Sequence, residues 1–300
     1  MSNDSAKPEG SAKSPDDKPV EGDASWRTAS RLRPRWTGWH SASLVLVVLF
    51  TGAAGVSLPP HAAFLMSLLF LTIFTTIAGH GVVGLWFGLL IDERNRMTLS
   101  RLQLVLWMIV ILAGFLVAAL WNTTFDATAL ERAHLASPLS VVVPSQLWLL
   151  LGISTTSLVA SPLIRSTKMT APADPQGVPP EAEKERKRTF TRLVMQNVPP
   201  DTIEQQGKIV IWRWPEDARF ADLFQGDEVG NAAHLDLGKV QMFFFTLVLV
   251  FTYGVALAHA FSQASAPIAS LPAVDQGMVT LLGISHAGFL TNNAVPHSVS

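Results

Sequence analysis

Six long apolar runs constrain the fold of this chain more than any other feature. The hydrocarbon core of a bilayer is about 30 Å thick and requires roughly 20 helical residues to cross it. The pattern predicts an all-α integral membrane protein with about six transmembrane helices. The last run contains Asp275, Gln276 and His286, so a re-entrant or interfacial segment is its alternative interpretation. The runs cover residues 41–58, 63–91, 102–121, 140–164, 239–261 and 275–292.

The composition supports a membrane environment. Hydrophobic residues make up 49% of the 300 residues and charged residues only 15%, which is unusual for a soluble domain. The chain has no cysteine, which excludes disulfides, thiolate metal sites and cysteine nucleophiles. The formal net charge of −1 hides an uneven distribution of charge along the chain and by itself says nothing about nucleic acid. We expect the lipid bilayer as a partner and no nucleic acid.

The basic residues predict an orientation, because lysine and arginine near a span are retained on the cytoplasmic side. Seven precede residue 41, three lie in 92–101 and eleven in 165–239, whereas Arg132 alone lies in a segment on the other side. We expect a multi-pass protein of a bacterial inner membrane with a cytoplasmic N-terminus and a cytoplasmic C-terminus. A five-span chain would place the C-terminus outside without changing this distribution.

Two segments read as copies of one helical hairpin. Leu99-Ser-Arg-Leu-Gln103 opens one apolar run, and Leu237-Gly-Lys-Val-Gln241 opens another. Each run is followed by a loop with proline and then by the sequence Leu-Leu-Gly-Ile-Ser, at 150–154 and at 281–285. The copies, 99–164 and 237–294, would share one orientation. We therefore expect a tandem parallel repeat about a pseudo-twofold axis along the membrane normal, and not an inverted repeat.

The remaining domains follow from this division. Residues 1–40 form a basic, polar cytoplasmic tail that we expect to be disordered, because it has few apolar side chains to bury. Residues 41–91 form a first transmembrane hairpin without the shared motifs. Residues 165–236 form a cytoplasmic linker and an aromatic juxtamembrane segment. The mixed-charge run 181–188 is interpreted as a solvated helix face or, alternatively, as a contact with anionic lipids.

An aromatic patch precedes the fifth run. Residues 208–214 read as a strand-like segment, and the pattern becomes helical from Pro215. The patch is predicted either to lie in the membrane interface, available to a partner, or to pack against the helix bundle. It comprises Trp212, Trp214, Phe220, Leu223 and Phe224.

Polar residues in and beside the spans are candidate functional positions. Thr76 and His80 share one stripe of the second run, which reads as a proton-sensitive or ion-lining stripe or as ordinary hydrogen bonding between helices. Gln103 and Gln241 are matched positions one turn inside the membrane. They are predicted to hydrogen-bond across the pseudo-twofold axis or to form rings in a homo-oligomer, with solvation at the interface as the alternative.

Further candidates lie in the second helix of each copy. Ser154 and Ser285 close the Gly-Ile-Ser steps, where tight packing is the alternative to ligand binding. His286 follows Ser285 and favours the second copy as the functional one. The chain shows no phosphate-binding glycine loop, no His-Glu-x-x-His, no Gly-x-Ser-x-Gly and no acidic pair within a run. We therefore expect a non-enzymatic protein without catalytic residues, metal or cofactor.

The two half-motifs resemble those of uncharacterised bacterial multi-pass membrane proteins. The resemblance rests on Leu-Ser-Arg-x-Gln with Trp107, and on Phe-Ala-Asp-Leu-Phe at 220–224 leading into Lys-x-Gln and the second Leu-Leu-Gly-Ile-Ser. It covers about residues 90–295. It implies a duplicated hairpin fold in a bacterial inner membrane, and it implies no activity, ligand or catalytic residue.

Two functional hypotheses remain. The first is a protein that anchors or docks a cytoplasmic protein partner or assembly, because the polar material is concentrated on the predicted cytoplasmic side. The second is an oligomeric ion channel or small transporter, favoured by the repeat, the His80 stripe and the paired glutamines.

Overall fold

The structure is a computed structural model that describes residues 36–170 and 180–298. The predicted tail, up to residue 35, and residues 171–179 of the predicted linker lie outside the described residues. The described chain is mostly helical. Its helices are α1 Gly38–Ser57, α2 Pro60–Val83, α3 Leu99–Asn122, α4 Ala127–Arg132, α5 Ser145–Met169, α6 Pro180–Met195, α7 Leu237–Ser262 and α8 Gln276–Ala294. Strands β1 Ile203–Gln206 and β2 Ile209–Trp212 form an antiparallel hairpin.

Five of the described helices, α1, α2, α3, α5 and α7, are long and apolar enough to cross a membrane. This confirms the prediction of a mostly helical membrane protein. The sixth predicted run forms α8, a helix of 19 residues that is not among these five candidate spans.

The second apolar run is longer than the helix that it forms. The apolar run extends to residue 91, but α2 ends at Val83 because Gly84 adopts a left-handed conformation with a φ of 85°. The chain then folds back onto α2, where a Cβ added to Gly79 would lie 2.7 Å from the backbone nitrogen of Leu89. Residues 84–98 are therefore outside the span.

The helices form layers. α1 and α2 form a hairpin, and α2 packs against both α3 and α7. On the far side of that layer, α5 packs against α3 and α8, and α8 packs against α7. α3 also contacts α7 directly, and the expected pseudo-twofold axis stays a prediction.

Apolar side chains fill the space among α3, α5, α7 and α8. Trp107, Leu147, Leu150 and Leu257 are completely buried there. Large apolar side chains on the opposite faces are exposed, as lipid contact requires. Examples are Leu49, Phe50, Leu65, Phe251 and Ile284.

One end of the bundle joins the two predicted copies through their loops. At this loop end, residues 123–144 and 263–275, the Val142 N–H donates to the Ala269 carbonyl at 2.8 Å, and the Leu271 N–H donates to the Val142 carbonyl at 3.0 Å. Asn122, fully buried, donates to the Ile268 carbonyl at 2.9 Å and accepts from the Ile268 N–H at 2.7 Å. Neutral hydrogen bonds therefore hold the loop end together.

The other end carries a folded cap, formed by residues 84–98 and 180–236. It contains α6, the β1–β2 hairpin and several turns around a small apolar core. Residues 180–236 thus have more regular structure than the sequence indicated for a linker. The core comprises Leu193, Val198, Ile203, Val210, Trp212, Val229, Ala232 and Ala233.

Candidate functional site: a buried ionic cluster under the cap

The first lead-in, residues 90–103, connects the cap to α3. A single antiparallel bridge between Ile91 and Met97 closes a short loop. The Thr98 N–H then donates to the Leu90 carbonyl at 2.9 Å, and α3 begins at the next residue.

The second lead-in, residues 224–241, connects the cap to α7 through the same contacts. Gln225 and Leu235 form the bridge, and the Asp236 N–H donates to the Phe224 carbonyl at 2.7 Å. The Asp236 carboxylate accepts from the N–H groups of Gly238 and Lys239 and so caps α7. Both lead-ins therefore place an acidic loop directly below the start of a membrane helix.

Strand β2 brings the two loops together. The Trp212 N–H donates to the Arg94 carbonyl at 2.9 Å, and the Val210 N–H donates to the Asp227 carbonyl at 3.0 Å. Asn95 adopts a left-handed conformation with a φ of 57°, and its side chain donates to the Trp212 carbonyl at 2.8 Å. Two loops that are far apart in sequence thus share one strand.

A buried ionic cluster joins these loops to the helix ends. Arg94 lies at its centre, with Nη2 2.8 Å from Asp92 and Nη1 3.0 Å from Asp227. From α5, Arg165 lies 3.4 Å from Asp92 and 3.7 Å from Asp227. From α7, the Lys239 Nζ lies 2.8 Å from Asp227. All five side chains are at most 9% exposed, so the cluster is desolvated and depends on complete pairing.

The electrostatics keep both carboxylates ionised. Burial alone would raise the pKa of Asp92, but Arg94 and Arg165 outweigh it and the pKa lies below its ordinary value. Burial would also raise the pKa of Asp227, but Arg94, Lys239 and Arg165 hold it well below its ordinary value. The same two acids raise the pKa of Arg94 against the effect of its burial. These groups suit fixation of the cap and not proton transfer at neutral pH.

Flanking pairs extend the cluster. The Arg96 guanidinium lies 3.6 Å from Asp222, donates to the Gly226 carbonyl at 3.0 Å and sits over the Trp212 ring at 5.0 Å. At the end of α5, Lys168 pairs with Glu228. Arg96 thus joins the two segments of the cap and reaches the second lead-in through Gly226, whereas Lys168 links α5 to the cap.

Glycine at the hairpin turn allows close contact with α5. Gly207 has a φ of 58°, and a Cβ there would lie 2.3 Å from the Lys168 carbonyl oxygen. The Lys208 N–H donates to the same carbonyl at 3.1 Å. The turn therefore satisfies an otherwise unpaired carbonyl at the end of α5.

The predicted His80 stripe forms a contact between α1 and α2. The His80 Nδ1 lies 2.9 Å from the His40 Nε2, and its ring stacks on Trp86 at 4.3 Å. The Thr76 hydroxyl donates to the Thr72 carbonyl of its own helix at 2.7 Å. The stripe thus has local hydrogen-bond partners, as the structural interpretation of these residues expects.

The matched glutamines have different environments. Gln103 is completely buried and donates to the Thr246 hydroxyl on α7, whereas Gln241 is exposed. No hydrogen bond joins the two side chains, so a direct Gln103–Gln241 hydrogen bond is wrong for a single chain. A polar link between α3 and α7 nevertheless exists, through Thr246.

The second helices are linked by His286. Its Nδ1 hydrogen-bonds the Ser157 hydroxyl on α5, so it joins α8 to α5. Ser154 and Ser285 are both buried, and the Ser154 hydroxyl has no partner within the described residues. The structure therefore brings His286 to a serine that the sequence did not single out.

The aromatic patch does not form one surface. Trp212 and Leu223 are buried in two different apolar clusters, and the Trp212 Nε1 donates to Asp222 at 3.1 Å. Phe220 is 57% exposed and contacts Phe224 edge to face, while Trp214 is partly exposed. The prediction of one continuous interfacial patch is wrong because β2 turns Trp212 into the cap core.

The ionic cluster was missed by the sequence reasoning. Arg94, Arg96 and Arg165 entered it only as basic residues that orient the chain, and Lys239 entered it as one of these and as part of the basic-x-Gln step. The available signal was an acidic residue in each loop ahead of a matched basic-x-Gln step, Asp92 in one and Asp227 in the other. Periodicity does not reveal such pairs, because they depend on how the two loops meet.

The described residues contain no group of three or more histidine, aspartate or glutamate side chains that could hold a metal ion. Compared with known proteins, the chain matches no family, no curated protein and no solved structure.

Proposed function

We propose that this is a non-enzymatic multi-pass protein of a bacterial inner membrane that docks a cytoplasmic protein partner on its cap. The observation that carries the proposal is the buried ionic cluster. It ties the cap to α5 and α7 through desolvated pairs, and such pairs favour one arrangement even where they add little stability. A cap held in this way presents its outer surface in a fixed position relative to the membrane.

The docking surface we propose is a groove along α6. Its cavity of about 420 Å³ lies between α6 and residues Gly230 and His234, and its lining is mostly charged. Lys184 and Arg188 are exposed on the groove side. A surface of this kind suits a partner segment with complementary charges.

The test is site-specific crosslinking in intact cells with a matched pair of variants. Lys184→Glu with Arg188→Glu reverses the groove charge, and Arg186→Glu with Lys187→Glu makes the same charge change on α6 residues outside the groove lining. We expect the groove variant to lose its crosslinked partner and the control to keep it. Identical partner profiles for both variants and the unmodified chain would reject the docking surface.

The proposed topology has six spans with both termini cytoplasmic. Support comes from α8, which starts at the loop end and finishes at the cap, where Lys168 donates to the carbonyls of Asn293 and Val295. Since the chain has no cysteine, Ser137→Cys and Ser298→Cys provide clean labelling sites. Impermeant thiol reagents should label them from opposite sides; labelling from the same side would leave five spans.

A channel formed by several copies is the second candidate. The filled interior among α3, α5, α7 and α8 favours a pore between copies over one within a chain. Gln241 and Phe244 are exposed on α7, as a face between copies would require. Ion flux in proteoliposomes that falls with Gln241→Leu would support it, and absence of flux would end it.

A further inference from the structure

A cavity of about 320 Å³ lies between the first turns of α3 and the last turns of α5. Small-molecule sites have volumes of about 300–1,000 Å³. Its walls have two chemistries. Toward the bundle they are apolar, with Leu104, Val105 and Met108 from α3 and Leu158 from α5. Toward the cap they are polar.

Three donors at the polar end lack partners. The Ser161 hydroxyl is 2% exposed and makes no hydrogen bond within the described residues. The Arg165 Nε is also buried without a partner, although its Nη atoms contact Asp92 and Asp227. Arg101, partly exposed, makes no ion pair in the described part of the chain. Buried donors without acceptors are costly, so a ligand that supplies acceptors fits this end.

The residues around the cavity leave these donors unpaired for identifiable reasons. Asp92 already binds Arg94 and Arg165, so it offers nothing further to Arg101. Pro162 has no N–H, so the helical hydrogen bond to the Leu158 carbonyl is missing inside the same wall. The polar end therefore contains donors without acceptors and a helix carbonyl without its usual donor, at the point where α5 leaves the membrane.

We propose that this cavity binds a phospholipid. Its phosphate accepts from Arg101, Ser161 and the Arg165 Nε, and an acyl chain lies against Leu104, Met108 and Leu158. A ligand with one anionic end and one long apolar end matches both walls, and the position at the ends of two candidate spans matches the depth of a phosphate group.

Glu93 selects among headgroups. It lines the polar end, is 51% exposed and makes a contact of 3.5 Å with Arg165. Its negative charge attracts the headgroup amine of a phosphoethanolamine lipid, whereas the neutral glycerol of a phosphoglycerol lipid offers no cation to pair with it. The site therefore favours a zwitterionic phosphoethanolamine lipid over an anionic phosphoglycerol lipid. This inference goes beyond partner docking and requires only that the helices are in the membrane.

The experiment is native mass spectrometry of the full chain after exchange into vesicles of known composition. In equal mixtures of phosphatidylethanolamine and phosphatidylglycerol, we expect the unmodified chain to retain one phosphatidylethanolamine preferentially. Arg101→Gln should lower retention roughly tenfold, because it removes a charge-assisted hydrogen bond to the phosphate. Ser161→Ala should lower retention by less, because it removes a hydrogen bond from a neutral hydroxyl. Arg132→Gln, an arginine at the loop end, is the matched control and should retain the lipid fully.

Glu93→Gln should remove the preference for phosphatidylethanolamine without lowering total lipid retention. A bulky Leu158→Trp variant tests the acyl wall independently and should displace the lipid with Arg101 intact. Equal retention in Arg101→Gln and in Arg132→Gln would overturn the proposal. Displacement of the lipid by millimolar inorganic phosphate would also overturn it, since the site would then be a phosphate site.

Discussion

Arg101 and Lys239 occupy the same position in the two lead-ins but have different roles. Lys239 is 5% exposed and is held by Asp227 and the Gln225 carbonyl, whereas Arg101 is partly exposed and unpaired among the described residues. The loop of the second lead-in is longer and folds its own Asp227 beneath Lys239. In the first lead-in, Arg94 and Arg165 have already engaged Asp92.

The difference shows that two segments with matching backbone contacts can give their side chains different roles. Both lead-ins form the same bridge and the same backbone hydrogen bond before the helix. The contacts of the side chains then depend on the residues that surround each lead-in. One basic residue secures the cap, and the other is left for the lipid that we propose.

Acidification should give the largest loss of stability, and it should protonate the acidic residues of the two lead-ins at different pH values. The folded pKa values of Asp92 and Asp227 are depressed, so their stabilisation is complete above the unfolded value of about 3.9 and is lost as the pH falls through the folded values. We expect thermal stability in detergent to be flat from pH 7 to about pH 5 and to fall steeply below about pH 4. Asp92 should protonate before Asp227, because fewer cations surround it.

Two variants check this assignment. Asp227→Asn leaves Arg94 and Lys239 buried with less compensation and should cost about 3–5 kcal/mol at pH 7. Asp92→Asn should lower the free energy of unfolding by less. Each variant should make the loss of stability below about pH 4 less steep. An equal cost for both variants, or a slope that survives in both, would contradict the unequal roles of the two acids.

Replacing each of the two matched basic residues by methionine tests the comparison of Lys239 with Arg101 directly. Lys239→Met removes two charge-assisted hydrogen bonds in a desolvated site and should lower the free energy of unfolding by about 2 kcal/mol. Arg101→Met should change it by less than about 0.5 kcal/mol in lipid-free detergent. Chemical denaturation of both variants measures the difference, and a larger cost for Arg101→Met would reverse the assignment.

The glutamines give the smallest effect. Gln103→Leu removes the bond to Thr246 and should cost about 1 kcal/mol, because one buried hydrogen bond is lost. Gln241→Leu lies on an exposed face and should stay within about 0.5 kcal/mol of the unmodified chain. Equal costs in the same unfolding assay would indicate that Gln241 also has a buried partner, as in an oligomer.

Sequence reasoning recovered the features that depend on local pattern. The apolar runs gave the membrane helices, and residues 208–214 gave β2. It missed the ionic cluster, because Asp92 and Asp227 are brought together only when β2 binds both loops. It also used Arg94 and Arg96 only to orient the chain in the membrane, and it did not predict that both are at most 2% exposed. Charge patterns orient a chain in the membrane without showing which charges become buried.

The shared strand has a mechanical consequence. Since the N–H groups of Trp212 and Val210 lie on the same edge of β2 and bond the Arg94 and Asp227 carbonyls there, a load applied to the hairpin is divided between α3 and α7. The turn at Gly207 contacts the end of α5, and this contact limits movement of the hairpin toward the membrane helices. A partner that pulled on the cap would therefore move α3, α5 and α7 together.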